Sequence, residues 1–460
     1  MDSVRRALGL SPDDSDASVE YEPLTTATDE PTHLDDSTIL APEEDVPFSW
    51  MEYSIFTLLG VAMLWAWNMF LAAAPYFSSR FAGDPWVQAN FQSAILTAST
   101  VINLTSLMVL SNFQYAANYP FRINLALVMN LVVFALLTAS TAIFLDVSAR
   151  GYLVFLLFMV VVSSWATGLV QNGAFAFAGS FGRSEYMQAL MVGQGVAGVV
   201  PAVVQVITVL VFPPDEQPPS EADDAPKAQS SAFFYFLAAV VVSGVTIVAL
   251  IPLVRRHNEI VEARMVSRMG ESVTSIEEAE RAARKVTSLW RLFQKLHWLC
   301  IGVALTFAET MFFPVFTSKI VSVHEGAGGL LRPAAFIPLG FFFWNLGDLN
   351  GKLASAIPLS ITKKPFALFV LSVVRAGLVP LYLLCNIGGR GAVVSSDLFY
   401  LFIVQGVFGF TNGWLGSSCM MATGDWVDEG EREAASAFMG LCLVLGLAAG
   451  SVLSFTASGI

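Results

Sequence analysis

Four ionisable residues stand within otherwise apolar stretches of the chain: Glu309, Asp348, Lys352 and Arg375. A charge at the centre of a bilayer costs from about 2.5 kcal/mol upward, so such residues pair, face a wet interior or bind something. Asp348 and Lys352 are spaced i, i+4 with the acid first, which sets them on one helix face in the favourable order. Asn345, three residues before Asp348, shares that face. An ionised carboxylate only accepts hydrogen bonds, and an ammonium only donates them. The pair therefore suits either of two tasks. It could hold a polar solute, the acid accepting from sugar hydroxyls while the cation donates to an oxygen of a base. It could equally be a salt bridge that neutralises both charges. Gln171 donates and accepts, which fits the edge of a purine or pyrimidine, and equally fits the gluing of two helices. Trp67 lies mid-stretch, away from the interfacial levels where Trp collects. It offers a flat face to an aromatic ring or to the core. Asn68, Asn103, Gln194, Gln405 and Asn412 are further neutral polar residues at such depths.

The stretches that carry these residues set their environment. Of 460 residues, 55% are hydrophobic and 13% charged, where soluble domains carry about 25% charged residues. The apolar runs reach about 20 residues, the length that crosses a hydrocarbon core. Backbone polar groups in lipid must be satisfied within the segment, so the runs are helices. The sequence predicts an all-α polytopic membrane protein with eleven spans, near 54–77, 89–112, 121–145, 151–178, 186–212, 231–254, 297–320, 333–357, 366–388, 397–421 and 434–456. Residues 1–50 form an acidic tail too polar to order itself, and no secretory signal peptide opens it. Residues 51–254 form a six-helix bundle, 255–295 a charged loop, and 296–460 a five-helix bundle. Within the loop, Thr274 and Glu277 have the spacing of a helix-starting capping box. Gly446 with Gly450, and Gly193, Gly195 and Gly198, read as close-packing positions.

Loop charges orient the chain. With the N-terminus in the cytosol, cytosolic segments hold sixteen Lys and Arg against six on the other side, as the positive-inside rule requires. The net charge of −13 comes largely from the tail and the Asp215–Asp224 loop. No basic stripe suggests nucleic acid. No GxxxxGK[ST] loop, zinc-protease motif or GxSxG elbow is present. The chain thus reads as a non-enzyme without cofactor or metal. Cys300, Cys385, Cys419 and Cys442 read as small core residues, outside any disulfide framework. Tyr21-Glu22-Pro23-Leu24 fits a Yxxφ sorting signal read by an adaptor protein, which favours a vacuole-like membrane and leaves the plasma membrane open.

Several segments resemble the equilibrative nucleoside transporter family, and a fungal-type member in particular. Leu64 to Phe70, with Ala73 and Pro75-Tyr76-Phe77, is similar to the first-span signature, although Ala66 replaces the Pro of its Pro-Trp-Asn core. Gly193 to Gly198 resembles the fifth-span GQGxAG, and Phe313-Pro314 the end of the seventh span. Phe336-Ile337-Pro338 and Asn345 to Lys352 resemble the eighth span, and Arg375 to Leu381 the ninth-span RxxxxPL. Phe410 to Leu415 and Glu433 to Gly450 resemble the tenth and eleventh. The likeness runs in order from about Phe56 to Phe455.

The resemblance implies a major-facilitator-like bundle of six plus five helices and facilitative transport of nucleosides, or also nucleobases, by alternating access. It places Trp67, Gln171, Asp348 and Lys352 in the substrate cavity, with Leu64, Leu71 and Asn345 nearby. Gln171 would meet the base and the eighth-span pair the ribose and base. Two further positions depart from the family. Lys352 stands where Arg is usual and loses the planar fork. Glu309 stands where a neutral residue is usual. It would either exchange a proton and couple transport to a proton gradient, or pair with Lys319 or a neighbouring helix. A transport-dead nucleoside sensor, signalling through Arg255–Lys295, is the remaining alternative.

Overall fold

The structure is a computed structural model that describes residues 47–113, 118–143, 145–211, 221–267, 287–324 and 328–454. The Tyr21–Leu24 signal and the Thr274–Glu277 spacing lie outside the described residues. Helices make up the fold: α1 (Trp50–Ala72), α2 (Ala74–Arg80), α3 (Pro85–Asn112), α4 (Tyr119–Ile143), α5 (Ala149–Ser180), α6 (Ser184–Val211), α7 (Glu221–Ser267), α8 (Leu289–Thr310), α9 (Phe312–Thr317), α10 (Pro333–Ala354), α11 (Pro365–Arg375), α12 (Phe408–Met421) and α13 (Arg432–Ser454). A 3₁₀ run, Ala376–Leu384, continues α11, and a π-helical run, Phe399–Val407, leads into α12.

Among the described residues, nine helices are long and apolar enough to cross a membrane, with α1–α2 and α8–α9 each counted as one. The expected eighth and tenth spans are not among these nine. The segments expected there are helical, as α10, 22 residues that include Asn345, Asp348, Asn350 and Lys352, and as the π-run with α12, so the described helices support nine spans and leave the expected eleven unmatched. The expected sixth span is the centre of a longer helix, since α7 extends into each of the two segments read as loops.

Helix ends follow local chemistry. Ser49, Asp84, Ser148 and Ser288 each accept a hydrogen bond from an otherwise unpaired first-turn N–H, the usual work of an N-cap. Asp428 and Glu431 form a reciprocal capping box ahead of α13. The first span breaks at Ala73, just before Pro75, because Pro has no N–H to continue the ladder.

Glycines bring the helices together. A Cβ on Gly347 or Gly351 of α10 would strike the Gly406 or Phe410 carbonyl, and one on Gly409 or Gly413 of the tenth segment would strike the Trp344 or Asp348 carbonyl. These two GxxxG ridges interlock backbone to backbone. Gly193 packs against Thr57 and Gly60 of α1, while Gly446 and Gly450 pack against Ala304 and Ala308 of α8. The glycines singled out from the sequence therefore are packing positions. Helix α6 lies along α10, and α5 along α13. Gln188 of α6 donates to the carbonyls of Lys352 (3.0 Å) and Leu353 (3.2 Å), which end α10.

At the opposite end, the loop after α9 is clasped to the start of the tenth segment. Asp397 accepts from Ser322 Oγ (2.7 Å), the Val323 N–H (3.0 Å) and the His324 ring (Nδ1 at 2.8 Å). Burial opposes its ionisation, yet the hydrogen bonds from His324, Ser322 and Val323 outweigh that and hold the carboxyl below the usual carboxylate range.

Gly413→Ala should lower the melting temperature of the purified protein, by an amount worth more than about 1 kcal/mol, because its methyl displaces the Asp348 carbonyl. The same change at Gly377, where a Cβ meets no atom within 4 Å, should be neutral. Equal melting temperatures for the two variants would refute the interlock.

Candidate functional site

Helices α8, α10, α11 and α12 bury a continuous polar assembly. Asp348 and Lys352 meet on α10 with Oδ2 to Nζ at 2.7 Å, and both side chains are about 95% buried. An ion pair taken out of water gains little unless further hydrogen bonds support it. Here Asn412 of α12 donates from Nδ2 to Asp348 Oδ1 at 2.7 Å. Asn412 Oδ1 in turn accepts from Thr310 Oγ1 of α8 at 2.6 Å. The interlocked glycines beside Asp348 and Asn412 permit that contact by bringing α10 and α12 together.

Arg375 closes the other end. Its Nη1 donates to Glu309 Oε2 (3.0 Å) and to the Thr306 carbonyl (2.8 Å), and its Nη2 to the Phe408 carbonyl (3.2 Å) and Thr310 Oγ1 (3.4 Å). Nε donates to Thr411 Oγ1 (3.2 Å), and the guanidinium lies 4.0 Å from the centre of the Phe408 ring. Glu309 is therefore paired across helices with Arg375, and not with Lys319. Two acids and two bases compensate one another in one buried cluster, in line with the high cost of an unpaired charge in low dielectric.

Other expected site residues are dispersed. Gln171 is buried on α5, and its Oε1 has no hydrogen-bond partner among the described residues. Gln405 shows the contrast. Its amide donates to Thr317 (2.7 Å) and Tyr400 (2.7 Å) and accepts from Tyr382 (2.9 Å), so it is spent as glue. Trp67 and Leu64 on α1 are half-buried, Trp67 against an apolar cluster of the first six spans, and Leu71 is exposed. Asn345 donates to the Phe341 carbonyl of its own helix (2.8 Å), and its Oδ1 fills the space left by Gly198 of α6. No hydrogen bond among the described residues joins Gln171 or Trp67 to the α10 pair. The assembly therefore unites Asp348, Lys352 and Glu309 and leaves α1 and α5 apart from them.

Thr310 escaped the sequence reading, because a threonine in an apolar helix carries no signal of its own. Asn412 was visible as polar but without a partner. Its GxxxG setting, Gly409 with Gly413 opposite Gly347 with Gly351, was a legible clue that α10 and α12 touch. All four cysteines are buried and unpaired. Among the described residues no three His, Cys, Asp or Glu side chains converge as a metal would need.

This architecture is that of major-facilitator transporters. The Major Facilitator Superfamily transporter FucP, in its outward conformation, superposes with TM-score 0.53 at 13% identity, over 88% of this chain and 92% of that one. The proton:xylose symporter XylE superposes with TM-score 0.53 at 11% identity, over 89% of this chain and 88% of that one. The chain belongs to the nucleoside transporter family, whose profile matches residues 157–458. It is 32% identical to Nucleoside transporter FUN26 of Saccharomyces cerevisiae, over 88% of this chain and 83% of that protein. It is 26% identical to Equilibrative nucleoside transporter 1 of Homo sapiens, over 90% of this chain and 97% of that protein.

Glu309→Ala strips Arg375 of its counter-charge and should cost about 3 kcal/mol of stability, seen as a fall in melting temperature of the solubilised protein. Glu309→Gln, which can still accept from Arg375, should cost less. An unchanged melting temperature in Glu309→Ala would mean the pair contributes nothing net.

Proposed function

We propose that this chain carries nucleosides across a membrane by facilitated diffusion, with the first six and last five spans rocking about a central site in alternating access. The observation that carries the reading is the buried α10 pair, in a chain of this family, with hydrogen-bonding capacity to spare on both partners. Lys352 gives one of its three donors to Asp348, and the Asp348 oxygens each take one donor of about two they can accept. Such a pair suits a solute rich in hydroxyls and carbonyls. The unpartnered Gln171 oxygen suits an N–H donor of a base, with Trp67 as a stacking face and Leu64, Leu71 and Asn345 around them. The bond between Glu309 and Arg375 favours a structural task for that acid over proton coupling.

The chain is an integral multi-pass membrane protein, and we place its N-terminus in the cytosol by the Lys and Arg asymmetry. A vacuole-like membrane follows if an adaptor reads Tyr21–Leu24. Tyr21→Ala should then move a fluorescent fusion to the cell surface, and an unmoved fusion removes the signal from consideration.

Uptake of uridine and adenosine into proteoliposomes tests the function. Asp348→Asn and Gln171→Ala should each lower kcat/KM by about tenfold or more, the loss of one good hydrogen bond to the substrate. An imposed pH gradient should leave the final internal nucleoside level unchanged. Full uptake by both variants would take these residues out of the site. Accumulation driven by the gradient would replace facilitated diffusion with proton coupling. Binding without flux would make the protein a sensor.

A further inference from the structure

Two neutral side chains connect the two buried ion pairs, and the charged groups at the two ends set the direction of the bonds they make. A guanidinium only donates and a carboxylate only accepts. Thr310 Oγ1 accepts from Arg375 Nη2, and its single proton faces two acceptors, Asn412 Oδ1 at 2.6 Å and the Thr306 carbonyl at 2.9 Å; the shorter contact is to Asn412, which donates from Nδ2 to Asp348 Oδ1. Turning the Asn412 amide over would set its oxygen against the Asp348 carboxylate, so the chain of bonds also fixes the amide orientation. Lys352 holds the other oxygen of Asp348. The carboxylate is therefore gripped at both oxygens by groups on two different helices, and its rotation about χ2 is set. One acceptor direction remains open on each oxygen.

We propose that Thr310 and Asn412 are positioning residues for substrate recognition. They hold Asp348 so that its two open acceptor sites match the adjacent hydroxyls of a ribose. Glu309 acts only as the counter-charge that lets Arg375 anchor the series. The proposal rests on the nucleoside reading and adds to it a basis for selecting ribose over deoxyribose sugars. It also assigns a task to Glu309, Thr310 and Arg375, which a contact list for the substrate would omit. A side chain that orients a binding group matters most to the substrate atoms which that group meets, so its loss is selective.

Uptake of uridine and of 2′,3′-dideoxyuridine is compared in proteoliposomes of wild type, Thr310→Val and Thr310→Ser. Valine keeps the shape of threonine and lacks the hydroxyl, while serine keeps the hydroxyl. Thr310→Val should raise KM for uridine about tenfold and for the dideoxy compound less than about twofold. Thr310→Ser should restore the uridine KM. A rise of equal size for both substrates, or no rise, overturns the proposal. A second measurement does not depend on transport. The melting temperatures of Thr310→Val, Asp348→Asn and the double variant form a cycle. The double variant should lose less than the sum of the single losses, and additive losses overturn the linkage. If the wild-type protein takes up neither uridine nor adenosine, the nucleoside reading fails, and the melting cycle alone decides whether Thr310 and Asp348 act together.

Discussion

Charge compensation in a medium that cannot solvate ions governs how α8, α10, α11 and α12 pack. Glu309, Asp348, Lys352 and Arg375 would each be prohibitive alone. Together they sum to zero charge, and each is bonded within the cluster. Compensation by itself would be served by two isolated pairs. The neutral links through Thr310 and Asn412 go further, because they tie α8, α10, α11 and α12 into one hydrogen-bonded unit. Such a unit has a single low-energy arrangement, since breaking any link leaves a polar group buried and unpaired.

That unit depends on how closely helices approach. Lipid offers no hydrophobic drive for helix association, so contact relies on surface shape. The paired ridges Gly347–Gly351 and Gly409–Gly413 let the backbones of α10 and the tenth segment touch along one stretch of the seam. Asp348 and Asn412 sit on that seam and come within 2.7 Å. The same device recurs where α6 meets α1 and α13 meets α8. Where α6 meets α10, glycine contacts at Gly195 and Gly198 are joined by side-chain hydrogen bonds. Gln188 closes the carbonyl end of α10 by hydrogen bonds that can be replaced by water, and the stem of Lys352 passes along Gly195.

The contrast between Gln405 and Gln171 shows how far residue type alone can be read. Both are glutamines at membrane depth, and both suit glue or ligand. Three partners saturate Gln405, while the Gln171 oxygen stays open. Tyr400 is local to Gln405, but Thr317 of α9 and Tyr382 of the 3₁₀ run lie 88 and 23 residues away, so the sequence neighbourhood alone does not distinguish the two glutamines. Glu309 makes the same point. Its i, i+10 neighbour Lys319 was the nearest base along the chain, yet Arg375, 66 residues away, is the one that reaches it.

The sequence by itself determined that the chain is helical, that it crosses lipid repeatedly, and where most of those helices begin and end. Composition and run length dictate this, because hydrocarbon leaves the backbone no partner but itself. It also determined the Asp348–Lys352 pair, since i, i+4 geometry is local to one helix. Tertiary structure decided what lies across from each helix: the Arg375 partner of Glu309, the link through Thr310 and Asn412, and the open oxygen of Gln171. These rest on contacts between helices far apart in the chain. No local periodicity encodes such contacts, and only packing of the whole bundle fixes them.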